Sequence, residues 1–452
     1  MTASAKPARP AAPSAAPPGA RRPPRPANRS ARGAWRDWLP DVAAFLGALL
    51  CAVLAALLAG SLGGCGGGVG TEGTGGFASS SSATGPITGF GSIIVNGVHY
   101  DDSGAQVQDD DAVAQSNSVL ALGMTVQITG GAVSTDSSGR QVATASQVRS
   151  VRALLGPVSA VSTSAGTLTV LGQAVTVQAD TVFDTALGSL SAVHTGQVVE
   201  VYGSFDAAAG TVLATRIAAV ATAKSYSVRG TVTSLDTASQ TFVLGGQTYS
   251  YAGLSASDRA ALVAGALLKF DVQSSTDSSG RWVAGAQRSG QNSSSSGDRD
   301  SAKLEGLIAS ISSSTRLVVE GTTVDIAGAK VTGTPRIGAK VEVSGALRSG
   351  VLVATEVEVS SSSGGSGGGG GGSSTSFEVE GRLTSVDTAA KRFTLASGVR
   401  STRIGYGRSD LVVKGSGCTL ASLASCTLKL HVVGVLSADR SVLDATSIEF
   451  DN

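Results

Sequence analysis

Four cysteines and three histidines carry most of the reactive side-chain chemistry of this 452-residue chain. Cys65 ends the sequence Leu62-Gly63-Gly64-Cys65, directly after an apolar run that starts at Val42 and continues through Phe45, Leu49, Leu50, Val53, Leu57 and Leu58. Arg21, Arg22, Arg25, Arg29, Arg32 and Arg36 precede that run. Basic, then apolar, then small residues ending at Cys is the layout of a bacterial lipoprotein signal. The apolar segment enters the membrane, and the small residues fit a peptidase cleft. The thiol then takes a diacylglycerol through a thioether, and cleavage leaves Cys65 as the new N-terminus. Residues 1–64 therefore read as a signal peptide with a long basic lead. The alternative is an uncleaved transmembrane helix, because the run is about 20 residues long. Gly66 follows Cys65, where Asp would favour retention at the inner membrane. The expected address is a lipid anchor in the outer membrane, with the rest periplasmic or surface-exposed.

Cys418 and Cys426 are the cysteines left outside the leader and the anchor. In an oxidising compartment a pair at this spacing is a candidate disulfide; the alternative is two reduced, buried thiols. No metal site is expected from them, since no histidine or second cysteine pair stands nearby. His99, His194 and His431 lie far apart and outside any metal-ligand spacing, so they read as solvated or strand-face histidines. Asp101-Asp102 and Asp109-Asp110-Asp111 place five carboxylates within eleven residues. Such a group could gather Ca²⁺, but the spacing fits no EF-hand loop, and a solvated acidic loop is the simpler reading. No Gly-x-Ser-x-Gly elbow with Asp and His partners is recognisable, nor is a phosphate-binding loop. No catalytic residue and no cofactor are assigned. Tyr202, Phe205, Tyr226, Phe242, Tyr249, Tyr251 and Trp282 concentrate in one stretch. Rings of this kind could offer a stacking surface, although alternation sends some of them to a core.

Charge excludes one class of partner. Eight of the 34 Lys+Arg and two of the 33 Asp+Glu precede Cys65, which leaves 26 against 31 and a net charge of −5. A mildly acidic product lacks the basic face that nucleic acid requires. Charged residues make up 15% of the chain, against roughly 25% in average globular proteins.

Beyond residue 84 the chain repeats with a period near 70 residues. Val228–Leu244 and Val379–Leu395 share nine of seventeen positions, among them Gly230/Gly381, Asp236/Asp387 and Phe242/Phe393. Gly-x-x-Val-x-Val-x-Gly recurs at 123–130 (with Ile128), 196–203 and 338–345, with weaker versions near Gly265 and Leu428. Ala-Thr/Ser-x-Val/Ile closes units at 145–148, 214–217, 354–357 and 445–448. The expected organisation is a Gly/Ser tether at 65–83 and β repeats at 84–152, 153–222, 225–288, 302–360 and 376–451. Linkers fall at 289–301 and 361–375. Alternation places Val126, Ile128, Val199, Val201, Val341 and Val343 in a core, with Gln127, Glu200 and Glu342 facing water. Asp136–Gly139 and Asp277–Gly280 read as hairpin turns. Short helices are expected at 255–264, with Ser257 as candidate N-cap, and around 420–425. The fold class is all-β. Small barrels of the oligonucleotide/oligosaccharide-binding (OB) type are preferred, because closure removes sheet edges; an open sandwich is the alternative. Gly367–Gly372 makes the last linker a flexible coil with a reach of order 20 Å. The units then resemble beads on a string, each able to fold alone.

The Gly-Thr-Val-Thr-Ser-Leu/Val-Asp opening, the Phe-x-Leu second strand, the Gly-x-x-Val-x-Val-x-Gly strand and the Ala-Thr-x-Val ending resemble the bacterial domain-of-unknown-function 5666 family of exported proteins. The resemblance implies a lipoprotein context and carries no activity or catalytic residue. The resulting expectation is a non-catalytic envelope lipoprotein that acts as a structural spacer or scaffold, attached to the membrane by its lipid. The alternative is a multivalent binding module for an envelope glycan, peptidoglycan or a protein partner.

Overall fold

The Val-x-Val strands alternate as a half-buried strand must. Val126, Val199, Val201, Val341 and Val343 are fully buried, and Ile128 nearly so. Each belongs to the fourth strand of a five-stranded barrel in a computed structural model of the chain, which describes residues 80–288, 297–360, 375–438 and 440–451. Cys65, the leader and most of the tether lie outside the described residues. Among the described residues, no helix is long and apolar enough to cross a membrane.

The second repeat shows how a barrel closes. Leu154–Ser162 pairs antiparallel with Thr167–Val170, which pairs with Gln173–Phe183. That third strand runs parallel to the fifth, Thr211–Ala219. The fifth pairs with the fourth, Val198–Asp206, and the fourth returns to the first through Leu154↔Val201. The order 1-2-3-5-4-1 leaves no free edge. The same closure recurs over 225–288, 299–359 and 377–451. It recurs over 81–150 as well, where the first strand is split into Ser81–Pro86 and Gly89–Phe90. A short helical segment follows the third strand in four barrels, as the OB-type arrangement requires: 117–119, 190–192, 256–261 and 420–425. The helix at Ala256–Ala261 is capped by Ser255, whose side chain accepts from Asp258 N, so the cap sits two residues before the expected Ser257.

The glycine that ends the Val-x-Val motif has a geometric cause. At Gly130, Gly203, Gly345 and Gly434 the pairing of strands four and five slips by one residue, a β-bulge. A Cβ at Gly203 would stand 2.1 Å from Leu213 O, and one at Gly345 equally close to Val353 O. The third barrel has Val272 at this place and shifts register on both sides of it, which is why its motif reads as degenerate. The two Asp-Ser-Ser-Gly segments form the expected turns. Asp136 and Asp277 each accept two backbone N–H groups, and Gly139 and Gly280 take positive φ.

The string of beads is not what the chain forms. The described residues together make one compact unit. The first strand of barrel one pairs in parallel with that of barrel four, Ser81↔Ser301 to Thr84↔Leu304. Gly89-Phe90 pairs in parallel with Glu378-Val379 of barrel five. Leu155 of barrel two pairs with Ser227 of barrel three. Barrels two and three share one apolar core and barrels one and five another, while barrel four keeps its own. The earlier half of a first strand pairs within its barrel on one edge only, with the fourth strand, and in barrels four and five a neighbouring repeat takes up the other edge. Ser81–Ala83, expected in the tether, are therefore strand residues. Of the outer-face residues expected to meet water, Glu342 keeps 41% of its side chain exposed, while Gln127 and Glu200 are covered. Gln127 is buried, and burial pushes the Glu200 carboxyl up against the opposing pull of Arg152 and Arg216.

Candidate functional site

The acidic segment of the first repeat is the densest charge feature, and it is not a solvated loop. Asp110 follows the short strand Gln106–Gln108 and is almost fully buried. Its Oδ2 lies 2.5 Å from Lys269 Nζ of barrel three, and that ammonium also donates to Arg152 O at 2.7 Å. Arg152, in the connection between barrels one and two, reaches Asp111 at 2.8 Å and Asp110 at 3.7 Å. Arg288, at the end of barrel three, bonds both Asp111 and Asp271 and donates to Asp110 O at 2.7 Å. Asp102 accepts Arg400 of barrel five at 2.5 Å. Of the five aspartates, Asp102, Asp110 and Asp111 thus fasten barrel one to its neighbours. Asp109 and Asp101 cap their own turns.

Electrostatics follow the geometry. Burial lowers the Lys269 pKa to about 8, although Asp110 opposes the shift. Burial also works against the charge on Arg152, but Asp110 and Asp111 outweigh it and hold its pKa above the ordinary value. Desolvation would raise Asp111, yet Arg152 and Arg288 hold it below the usual carboxylate range. Charges this deep in protein persist because each is paired and hydrogen-bonded. A second buried pair, Arg229–Glu320 at 2.7 Å, joins barrels three and four.

Two histidines that the sequence separates by more than 300 residues meet at the junction of barrels one and five. His431 Nε2 is 2.8 Å from Glu378 Oε1, and His99 Nε2 is 3.6 Å from the same oxygen. The Glu378 carboxylate beside it raises the His431 pKa, burial lowers that of His99, and the histidines hold the Glu378 carboxyl low against its burial. His194 is exposed in a turn, within 3.3 Å of Ala192 O. Among the described residues no group of three or more His, Cys, Asp or Glu is placed to hold a metal ion. Cys418 and Cys426 are bridged, with Cα atoms 5.8 Å apart, across the capped turn 420–425.

The aromatic stretch is largely core. Phe242 stacks on Tyr249 and tilts against Phe270 inside barrel three. The Tyr249 hydroxyl donates to Leu171 O of barrel two at 2.5 Å. Tyr202, Phe205 and Tyr251 are buried, while Tyr226 and Trp282 meet edge-on and stay partly exposed. A cavity of about 240 Å³ opens where barrels one, two and four meet the start of barrel five. Asp180, Asp206, Glu305, Lys340, Thr215 and Phe377 contribute to its walls, and Lys340 bonds Glu305 at 2.6 Å. Its walls combine hydroxyls, carboxylates and one ammonium, a lining that suits a small hydroxylated molecule.

The partners of the acidic segment were not evident from sequence. One signal does exist once register is known. Arg229 and Lys269 face each other across the barrel-three sheet. Like charges directly opposite are unfavourable unless an acid from elsewhere joins them, and Glu320 and Asp110 supply it.

Comparison with known proteins bears on the same units. No curated protein matches the chain. Two segments, 156–218 and 305–358, match the profile of a domain of unknown function (DUF5666), and they coincide with the second and fourth barrels, so one such domain corresponds to one closed five-stranded barrel.

Proposed function

We propose that this chain is a non-catalytic scaffold of the bacterial cell envelope, a rigid block of five barrels carried on a lipid attached to Cys65. The observation that carries the reading is the ion-pair network of Asp102, Asp110 and Asp111 with Arg152, Lys269, Arg288 and Arg400. The most concentrated charges in the protein join repeats to one another. A structural block needs such joints, and an active site needs such groups free. The basic–apolar–small–Cys order supports the lipid anchor and an outer-membrane address. Mass spectrometry of the mature N-terminus tests the anchor. Lipid on Cys65 is expected, and an intact residue 1–64 segment would sink it.

A binding role is the second reading, favoured by the 240 Å³ cavity. Affinity capture from detergent-solubilised envelope, beside sedimentation with peptidoglycan, separates the two. The scaffold reading expects protein neighbours whose recovery is lost when the barrel joints are broken. Retention on peptidoglycan that an Asp206→Asn/Lys340→Met protein loses would replace it with the binding reading.

A further inference from the structure

A second cavity lies between barrels one, two and five and is strongly basic. Its volume is about 460 Å³, and Arg216, Arg400, Arg403 and Arg440 line it together with Phe90 and Phe183. Two of the guanidiniums are held over ring faces, Arg400 at 4.8 Å from the Phe90 centroid and Arg440 at 5.8 Å from that of Phe183. Such stacking fixes the plane of a guanidinium while leaving edge N–H groups for a ligand. Arg216 is the least satisfied. Its terminal group donates to Leu122 O at 3.2 Å, but its Nε is buried without a hydrogen-bond partner. Burial lowers the Arg216 pKa even though Tyr202, Asp184 and Glu200 favour its charge. An anion would relieve that desolvated cation.

The charges do not balance within the protein. Asp102 pairs with Arg400, and Asp184 is the carboxylate in the cavity wall. Asp184 is itself committed, accepting Leu187 N at 2.8 Å and Ala219 N at 2.9 Å. Among the described residues no carboxylate pairs with Arg403 or Arg440; Arg440 donates to backbone oxygens of Gln178 and Ala179. Among the described residues the four guanidiniums face the two carboxylates Asp102 and Asp184, a surplus of two positive charges, beside a buried donor without an acceptor. We propose that this cavity binds a phosphate monoester, whose near-double negative charge and three acceptor oxygens match that surplus of positive charge and the Arg216 edge. The site exists only when three barrels assemble, and it is independent of the scaffold reading.

Methyl phosphate (a dianion at neutral pH) and dimethyl phosphate (a monoanion) are the probes, titrated calorimetrically into the intact protein. Saturable binding of methyl phosphate is expected, with dimethyl phosphate about tenfold weaker or more. Arg403 is exposed and can be reversed without disturbing a core, so Arg403→Glu should weaken methyl phosphate by about tenfold or more. Lys414→Glu makes the same charge change on the exposed strand Val412–Gly415 and should leave affinity unchanged. Absence of saturable methyl phosphate binding would overturn the proposal, as would equal losses in Arg403→Glu and Lys414→Glu. Co-sedimentation with phosphatidic acid vesicles, against phosphatidylglycerol vesicles, then distinguishes a lipid-borne monoester from a soluble one.

Discussion

Substituting Asp110 by Asn removes one charge from the joint between barrels one and three while keeping its shape. Asp110 and Lys269 expose only 2% and 4% of their side chains, so water cannot replace the lost partner. Arg149, Arg152 and Arg288 stand within 3.8, 3.7 and 3.9 Å of the same carboxylate. The variant therefore leaves four cations around Asp111 and Asp271 alone. Breaking a buried, hydrogen-bonded pair by removing one member costs about 3–5 kcal/mol. For a single cooperative body of roughly 350 residues, that lowers the melting temperature by roughly 4–7 °C. Differential scanning calorimetry reads it directly, with Asp101→Asn as the exposed control; its loss should stay within about 0.5 kcal/mol. Combining Asp110→Asn with Lys269→Met should cost less than the sum of the two, with a coupling of about 2–3 kcal/mol. An Asp110→Asn protein that melts within a degree or so of the control, or a cycle with no coupling, would refute the reasoning that this pair is a joint.

Other consequences concern pH, the disulfide and the bulges. His431 has a raised folded pKa, so its pairing with Glu378 contributes stability that is fully present below the unfolded value and is lost as pH rises through the folded one. His431→Asn should therefore destabilise more at pH 5.5 than at pH 8.5, and a loss equal at both would contradict the assignment. His99, shifted down by burial, works in the opposite direction, so in a His99→Asn protein stability should fall less as pH drops below about 6.5. Reduction of Cys418–Cys426 opens a small loop worth about 2.5 kcal/mol in chain entropy. It should shift the single melting transition of the whole body, and a separate low-temperature transition for barrel five alone would count against coupling. Gly203→Ala forces a Cβ against Leu213 O and should cost about 2–4 kcal/mol, whereas Gly210→Ala, in an open turn at φ 67, should cost about 1–2 kcal/mol by equilibrium urea unfolding.

Within each repeat, the fold was legible because its causes are local in sequence. Val199 and Val201 announce an inward face, Asp136 and Gly139 a hairpin, and Gly203 the bulge that bends the sheet. The outward residues carry no such local rule. Glu200 and Gln127 occupy polar positions of an alternating strand, and nothing within their own repeats tells whether water or another barrel covers them. Asp110 and Lys269 are separated by 159 residues, and His99 and His431 by more than twice that. Their encounters depend on how closed barrels dock, which strand periodicity does not encode. The docking itself had one unread sign. The first strands Arg299–Ser313 and Phe377–Asp387 are longer than the second strands that pair with their later halves, Arg316–Val319 and Arg392–Ser397, so one edge of each earlier half is left for another partner. The basic cavity was equally hidden, since Arg216, Arg400 and Arg440 come from different repeats and different strands.

The central claim is that five barrels form one rigid body, and small-angle X-ray scattering of a soluble form spanning residues 76–452 tests it most directly. A compact chain of this length has a radius of gyration of about 21 Å. The account predicts a value near that figure, unchanged when Gly367–Gly372 is lengthened by further glycines, because barrel five is held by its contacts with barrel one. A radius of about 30 Å or more, growing with the linker, would describe beads on a string and contradict it.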